Sequence, residues 1–112
     1  MNKFFWKNKN VLITGHTGFK GSWLSFWLKQ KKAKVSGISL KENKKTFFHY
    51  LNLKKIIDKN IYCNINNFKD LSKHVKKINP EIVFHLAAQP LVIRSYNFPL
   101  ETIETNITGT SN

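Results

Sequence analysis

The chain has 112 residues and 41% hydrophobic side chains, which suits one small domain and excludes a wholly disordered chain. A single cysteine, Cys63, excludes an internal disulfide and a cysteine-built zinc site. The longest near-apolar run, Ile82 to Ala88, falls far short of the roughly 20 residues that a membrane-spanning helix needs.

Nineteen Lys+Arg against six Asp+Glu leave a charge of +13, which raises nucleic-acid binding. Only Arg94 among the 19 is arginine, the side chain favoured for phosphate clamps and base reading. The lysines spread over Lys29 to Lys34, Lys41 to Lys45, Lys54 to Lys59 and Lys69 to Lys77, beside 13 Asn and 11 Ile. Joint enrichment in these three residues is what an AT-rich coding sequence produces. The charge therefore reads as a solvated surface, with a polyanion-binding face as the alternative. Met1 to Lys7 lacks the apolar stretch of a signal peptide, so a soluble, reducing, cytoplasmic setting is the default expectation.

Strand and helix patterns alternate along the chain. Val11 to Thr14 is short, β-rich and closed by a glycine, as a buried parallel strand is. From Gly18 onward Phe19, Trp23, Leu24, Trp27 and Leu28 recur at helical spacing. They predict one wide apolar face, which puts both tryptophans in the core. Ala33 to Leu40 predicts a second strand, Lys41 to Lys45 a charged loop, Phe47 to Ile57 a short helix and Ile61 to Ile65 a third strand. Phe68, Leu71, Val75 and Ile78 lie on one face of an amphipathic helix that Asn79-Pro80 stops. Ile82 to Leu86 is a fourth strand, apolar on both faces, with His85 read as a packed core residue. Pro99 opens a further helix. No repeat, linker or second domain is visible.

This order predicts an α/β fold, a Rossmann-like doubly wound parallel sheet with strand order 3-2-1-4. Ligands of such sheets bind beyond the carboxyl ends of the strands, where the order reverses. The segments after Thr14 and after Leu86 then face one crevice. Directly after the first strand runs Gly15-His16-Thr17-Gly18-Phe19-Lys20-Gly21-Ser22. Glycine at every third position between a strand and a helix points to a dinucleotide diphosphate. Gly15 makes the tight turn, Gly18 lets the diphosphate approach, Gly21 allows close packing, and the amides of the helix start supply positive charge. A P-loop fits poorly, because its Lys follows the last glycine and Lys20 precedes Gly21.

This stretch, with Trp23-Leu24 after it, resembles the start of the extended short-chain dehydrogenase/reductase family. Phe5-Trp6, the run from Pro80 to Val92, Ser95-Tyr96, Thr105-Asn106 and Gly109-Thr110 agree with it. His16, Lys20 and Gln89-Pro90 place the resemblance on the branch of sugar-nucleotide 4,6-dehydratases that act on CDP-glucose. The resemblance implies a NAD-dependent lyase of deoxysugar and surface-polysaccharide biosynthesis. The sugar is oxidised at C4, water is lost across C5 and C6, and hydride returns to C6, giving CDP-4-dehydro-6-deoxyglucose. A homo-oligomer is implied for full-length members. The family's catalytic Ser or Thr and its Tyr-x-x-x-Lys pair lie on later segments. Tyr50 and Lys54 have that spacing but precede the third strand and are not that pair. Residues 1–112 are therefore expected to be the N-terminal part of a NAD(P)-binding Rossmann domain, a fragment without catalytic and substrate parts.

By the same resemblance the cofactor-binding residues are Gly15, His16, Thr17, Gly18, Phe19, Lys20, Gly21, Ser39, Asn64, Ile65, Leu86, Ala87, Ala88, Thr105 and Asn106. Gln89, Arg94, Ser95 and Tyr96 are expected in a loop over the crevice, touching the sugar nucleotide, with Arg94 on its diphosphate. No metal ligands and no membrane partner are expected. Two positions depart from the family pattern. Ser39-Leu40-Lys41 ends the second strand where NAD enzymes carry an acid, so Ser39 takes the ribose. Lys41, Lys44 or Lys45 would tolerate a 2′-phosphate, which leaves NAD and NADP both open. Asn64 stands where relatives have an acid for the adenine amino group. A non-catalytic basic α/β module that binds nucleic acid or another polyanion is the alternative function.

Overall fold

A computed structural model describes residues 4–112; residues 1–3, part of the stretch read for a signal peptide, lie outside the described residues. Four strands, β1 (Asn10–Thr14), β2 (Lys34–Ser39), β3 (Lys59–Tyr62) and β4 (Ile82–His85), form one sheet in the order β3-β2-β1-β4. All pairings are parallel; Val11 lies opposite Val35 and Ile82, and Thr14 opposite Ile38 and His85. The expected sheet and strand order are both present. Strand alternation splits the core in two. Val11, Ile13 and Val35 face Leu28, Phe48 and Leu53, while Leu12 and Ile38 face Ile65, Leu71 and Ile78.

The helix after β1, α1 (Phe19–Gln30), buries only part of the expected face: Leu28 is core and Leu24 packs against it, but the three aromatics do not turn inward. Its buried residues are Gly21, Ser22, Ser25 and Leu28. Phe19, Trp23 and Trp27 are 68%, 49% and 42% exposed, so the tryptophans are not core. Small side chains let α1 lie close to the sheet, and that leaves no depth for indoles. The rings pack sideways instead, Trp23 on Phe47 at 4.9 Å and Trp27 on Trp6 at 5.8 Å between centroids. The buried hydroxyls are satisfied locally: Ser22 Oγ donates to His16 O and Ser25 Oγ to Gly21 O.

The segment from Phe47 to Ile57 forms two short helices, α2 (Phe47–Tyr50) and α3 (Leu53–Ile56). Asn52 divides them, because its φ of +53° puts it in the left-handed region. β3 starts two residues before the expected position. The Asp58 N–H donates to Val35 O, and its carboxylate accepts from Val35 N–H and Lys29 Nζ, which lays the chain along β2 early. Asn64 Oδ1 then accepts from Asn66 N–H in a turn that ends the strand. In α4 (Phe68–Ile78) Leu71 and Ile78 are buried as expected, but Phe68 is exposed. Asn67 caps this helix through Asp70 N–H.

After β4 come α5 (Val92–Asn97) and α6 (Pro99–Ile103), and a π-helical turn, Glu104–Thr108, runs on into α7 (Gly109–Ser111). α5 occupies the segment expected as a loop. The Gln89 side chain accepts from Leu91 N–H and donates to Leu91 O, fixing the backbone just before the helix begins. Gly109 packs on the Ile65 side chain, and Asn112 Nδ2 donates to Ile65 O. β4 is a sheet edge, so His85 is exposed rather than packed in the core, and Val83 is 51% exposed. Among the described residues no helix is long and apolar enough to cross a membrane.

The 112-residue chain thus combines an unpaired apolar strand edge, a template for association, with a repulsive charge of +13. Salt shortens the Debye length from about 30 Å at about 0.01 M to about 3 Å at about 1 M. Sedimentation is expected to show self-association that grows between those two salts. A monodisperse monomer at both would mean that the edge is protected.

Candidate functional site

β1 delivers the chain to Gly15, whose φ of +75° lies where glycine is at ease. A Cβ on Gly15 would lie 2.8 Å from the Ala87 nitrogen and 2.8 Å from the Leu86 carbonyl carbon. The loop backbone therefore rests directly on the backbone leaving β4. Gly15 N–H also donates to Ile38 O at 2.7 Å, which ties the turn to β2. One turn into α1, a Cβ on Gly21 would overlap Gly15 O and lie 2.7 Å from His16 Cα. Gly18 is different in kind. Its φ of −72° suits any residue, and a Cβ there would meet only Gly15 O, at 3.4 Å. Packing requires Gly15 and Gly21, while Gly18 leaves open space on the exposed side.

That open space faces an uncapped helix end. Gly18 is the N-cap of α1, no side chain caps it, and no acid lies in the first turn. The first intrahelical bond is Ser22 N–H to Gly18 O, so the N–H groups of Phe19 and Lys20 have no intrahelical partner. They form the positive end of a 12-residue helix, with the Lys20 side chain exposed beside them. A diphosphate fits these groups: free donors, positive charge, and no side chain at Gly18 to block it.

Thr14, which the sequence reading passed over as the last residue of a strand, fixes the other wall. Its Oγ1 accepts from Leu86 N–H at 3.1 Å and Ala87 N–H at 3.2 Å, so its own proton goes to His85 Nδ1 at 2.6 Å. This leaves the His85 proton on Nε2, which donates to Thr110 Oγ1 at 3.0 Å; Thr110 in turn donates to Asn106 O. The chain of bonds ties β1, β4 and the last helical segment together. The Asn106 side chain clamps the Gln89 backbone, accepting from Gln89 N–H and donating to Gln89 O.

The other expected cofactor residues divide. Thr17 Oγ1 donates to Ser39 Oγ at 3.1 Å, which brings the end of β2 to the glycine loop, and Ser39 itself donates to Leu40 O. Asn64 Oδ1 carries one bond, from Asn66 N–H. The His16 ring turns inward, fully buried, edge-on to Phe48 at 5.4 Å and against Gly37, where any Cβ would overlap the ring. Its Nε2 donates to Asn60 Oδ1 at 2.5 Å. Its side chain therefore pins the loop to β2 and β3 and is not a surface contact. Burial pushes the His16 pKa below its ordinary 6.5, against the raising effect of the Asn60 bond.

Of the expected substrate residues, Tyr96 is 82% exposed on α5. Ser95 Oγ donates to Val92 O, and the Gln89 amide also reaches Thr102 Oγ1. Arg94 grips Glu101 with Nε and Nη2 at 2.9 and 3.0 Å and lies over the Phe98 ring, so its guanidinium is already paired. Arg94 also borders a cavity of about 430 Å³ with Leu91, Val92, Ile93, Asn97 and Phe98.

The model of the family described as GDP-mannose 4,6 dehydratase matches residues 12–112, from β1 through the glycine loop to the last helical segment. The chain belongs to that family. It is 45% identical over 98% of its length to CDP-glucose 4,6-dehydratase of Salmonella typhimurium, covering 31% of that protein. It is 30% identical over 91% of its length to UDP-glucose 4-epimerase of Mycoplasma genitalium, covering 30% of it. Among solved structures, Pen from Bacillus thuringiensis superposes with a TM-score of 0.79 at 31% identity, over 96% of this chain and 33% of that one. The chain spans about a third of the length of the curated relatives it matches.

The loop geometry separates the two kinds of glycine in this family member. Gly21→Ala is expected to cost about 1–3 kcal/mol in urea denaturation through overpacking, whereas Gly18→Ser, which can cap α1, stays within about 0.5 kcal/mol. Equal losses would erase the distinction. The buried His16 gives a pH signature. Its folded pKa lies below its unfolded one, so its contribution is complete above about 6.5 and is lost as pH falls through the window below that value. Tm is expected to fall from about pH 7.5 to about pH 5.5; a flat Tm across that window would contradict a neutral buried ring.

Proposed function

We propose that residues 1–112 form the cofactor-binding part of a sugar-nucleotide 4,6-dehydratase that acts on CDP-glucose, with NAD as cofactor and the cytoplasm as its setting. One observation carries the reading: the uncapped start of α1 stands over the backbone contact of Gly15 with Leu86 and Ala87, at the point where the strand order reverses. The 45% identity to a CDP-glucose 4,6-dehydratase supports the substrate. The bound dinucleotide would supply the hydride acceptor, and later donor, for the sugar.

The chain's own groups would bind and orient. Phe19 and Lys20 N–H donate to the diphosphate, the Lys20 ammonium adds charge, and Gly18 keeps the approach clear. Ser39 and Thr17 meet the adenosine ribose by exchanging their mutual bond. Asn64 Oδ1 offers its second lone pair to the adenine amino group, beside Ile65. Leu86, Ala87 and Ala88 present backbone and small side chains along the far wall, with Thr105 and Asn106 behind them. Gln89, Ser95 and Tyr96 lie on the sugar-nucleotide side. Arg94 would reach a substrate diphosphate by exchanging Glu101 for it.

Calorimetry tests this on the 112-residue chain and on a family-length protein containing it. NAD is expected to bind, and Gly18→Val to weaken it at least about tenfold, about 1.4 kcal/mol. Unchanged affinity in that variant would remove the glycine loop from the cofactor site. The 112-residue chain alone is expected to give no 4-dehydro-6-deoxy sugar from CDP-glucose and NAD, because it offers no activated tyrosine for the hydroxyl proton. Product from the rigorously purified chain would overturn the assignment of the chemistry to other segments.

A further inference from the structure

At the opposite side of the sheet from β4, the outer edge of β3 and the flank of α4 enclose a groove of about 330 Å³ lined by Lys59, Asn60, Ile61, His74, Lys77 and Ile78. Local geometry dictates this grouping. Lys59 and Ile61 share one face of β3, and Ile61 packs with Leu71, Val75 and Ile78 of α4. His74, Lys77 and Ile78 are spaced i, i+3 and i+4, so they line one side of the helix. The floor is thus apolar and the rim basic.

No carboxylate lines the groove, and neither Lys59 nor Lys77 takes part in the ion pairs among the described residues. The nearby acids are committed elsewhere. Asp58 holds Lys29 and Val35 N–H, and Asp70 is bound by Asn67 at the far end of α4. β3 is a sheet edge, and Cys63 N–H donates inward to Ser39 O. Strand alternation then turns the Asn60 N–H outward, to the groove side. Two ammonium groups, an imidazole and a backbone N–H therefore border an apolar floor with no anionic partner.

We propose that this groove is a second binding site, for a small phosphorylated ring compound. The ring lies on Ile61 and Ile78, and the phosphate accepts from Lys59, Lys77 and Asn60 N–H, with His74 beside it. The volume is that of a mononucleotide-sized ligand. The site is separate from the glycine loop, because it lies toward the amino end of β3 and the carboxyl end of α4, whereas Gly15 follows the carboxyl end of β1. It does not depend on the cofactor reading.

The test is a titration of phenyl phosphate into the isotope-labelled 112-residue chain at low salt, followed by NMR. The Asn60 amide and the His74 ring are expected to shift and saturate, with inorganic phosphate at least about tenfold weaker and benzyl alcohol without effect at those signals. The Lys59→Gln/Lys77→Gln variant, in which two exposed side chains change, should keep the native spectrum and weaken phenyl phosphate at least about tenfold. Shifts confined to the Phe19 and Lys20 amides would mean that the phosphate uses only the start of α1. That result, or unchanged affinity in the double variant, or equal shifts with benzyl alcohol, would overturn the second site. Failure of the cofactor reading would appear instead as unmoved Phe19 and Lys20 amides with NAD.

Discussion

Three backbone segments meet at Gly15 with no room for a side chain between them. The turn after β1 touches the peptide joining Leu86 to Ala87 on one side and the first turn of α1 at Gly21 on the other. Everything near the site adjusts to that contact. α1 is drawn down until only Gly21, Ser22, Ser25 and Leu28 fit beneath it. The two serines remain tolerable there because each returns its proton to a backbone carbonyl of the same region. The aromatic residues of α1 are displaced to its flanks, where Phe47 and Trp6 meet them.

The same contact brings the end of β1 within reach of the amides after β4, and Thr14 secures them with one hydroxyl. The result is a rigid wall of backbone, not a wall of side chains. Opposite it, the start of α1 lacks any cap, although a serine at position 18 would have room. A helix normally gains about 1 kcal/mol from such a cap. Forgoing it keeps donors free beside the wall, which is the pattern of a site that gives up local stability for a ligand.

Strand order, glycine loop and α4 were legible because each rests on a local pattern: β-rich runs, glycine at fixed spacing, and a clear 3.6-residue period. The face of α1 was legible at Leu24 and Leu28 but not at Phe19, Trp23 and Trp27, since periodicity assumes that the largest apolar residues go inward. Here the nearness set by Gly21 reverses that choice. β3 was misplaced because its start is set by the Asp58 bonds to Val35 and Lys29, partners 23 and 29 residues away. His16 reads as a loop residue, and only the distant Gly37 and Asn60 show that its ring points inward. The helix at Val92–Asn97 depends on the Gln89 amide, a bridge that no propensity scale records.

The described lysines lie at the surface, and the arrangement of charge there has structure. Of the six acids, five have carboxylates held in bonds that organise the fold. Asp58 and Glu81 show the effect in their titration. Burial would raise Asp58, but the Lys29 and Val35 bonds prevail and leave it below the ordinary value. The Asn10 N–H does the same for Glu81, which joins the start of β1 to the start of β4. Of the lysines, Lys9 and Lys29 have carboxylate partners among the described residues. The remaining lysines act as a diffuse positive field over a surface with almost no free carboxylate. Such a field raises the encounter rate of any anion at low salt and is screened within about 8–10 Å at physiological ionic strength. It cannot by itself choose a binding place. Choice falls to the spots where an unpaired backbone donor adds to the field, and the start of α1 and the edge of β3 both offer such N–H groups within it.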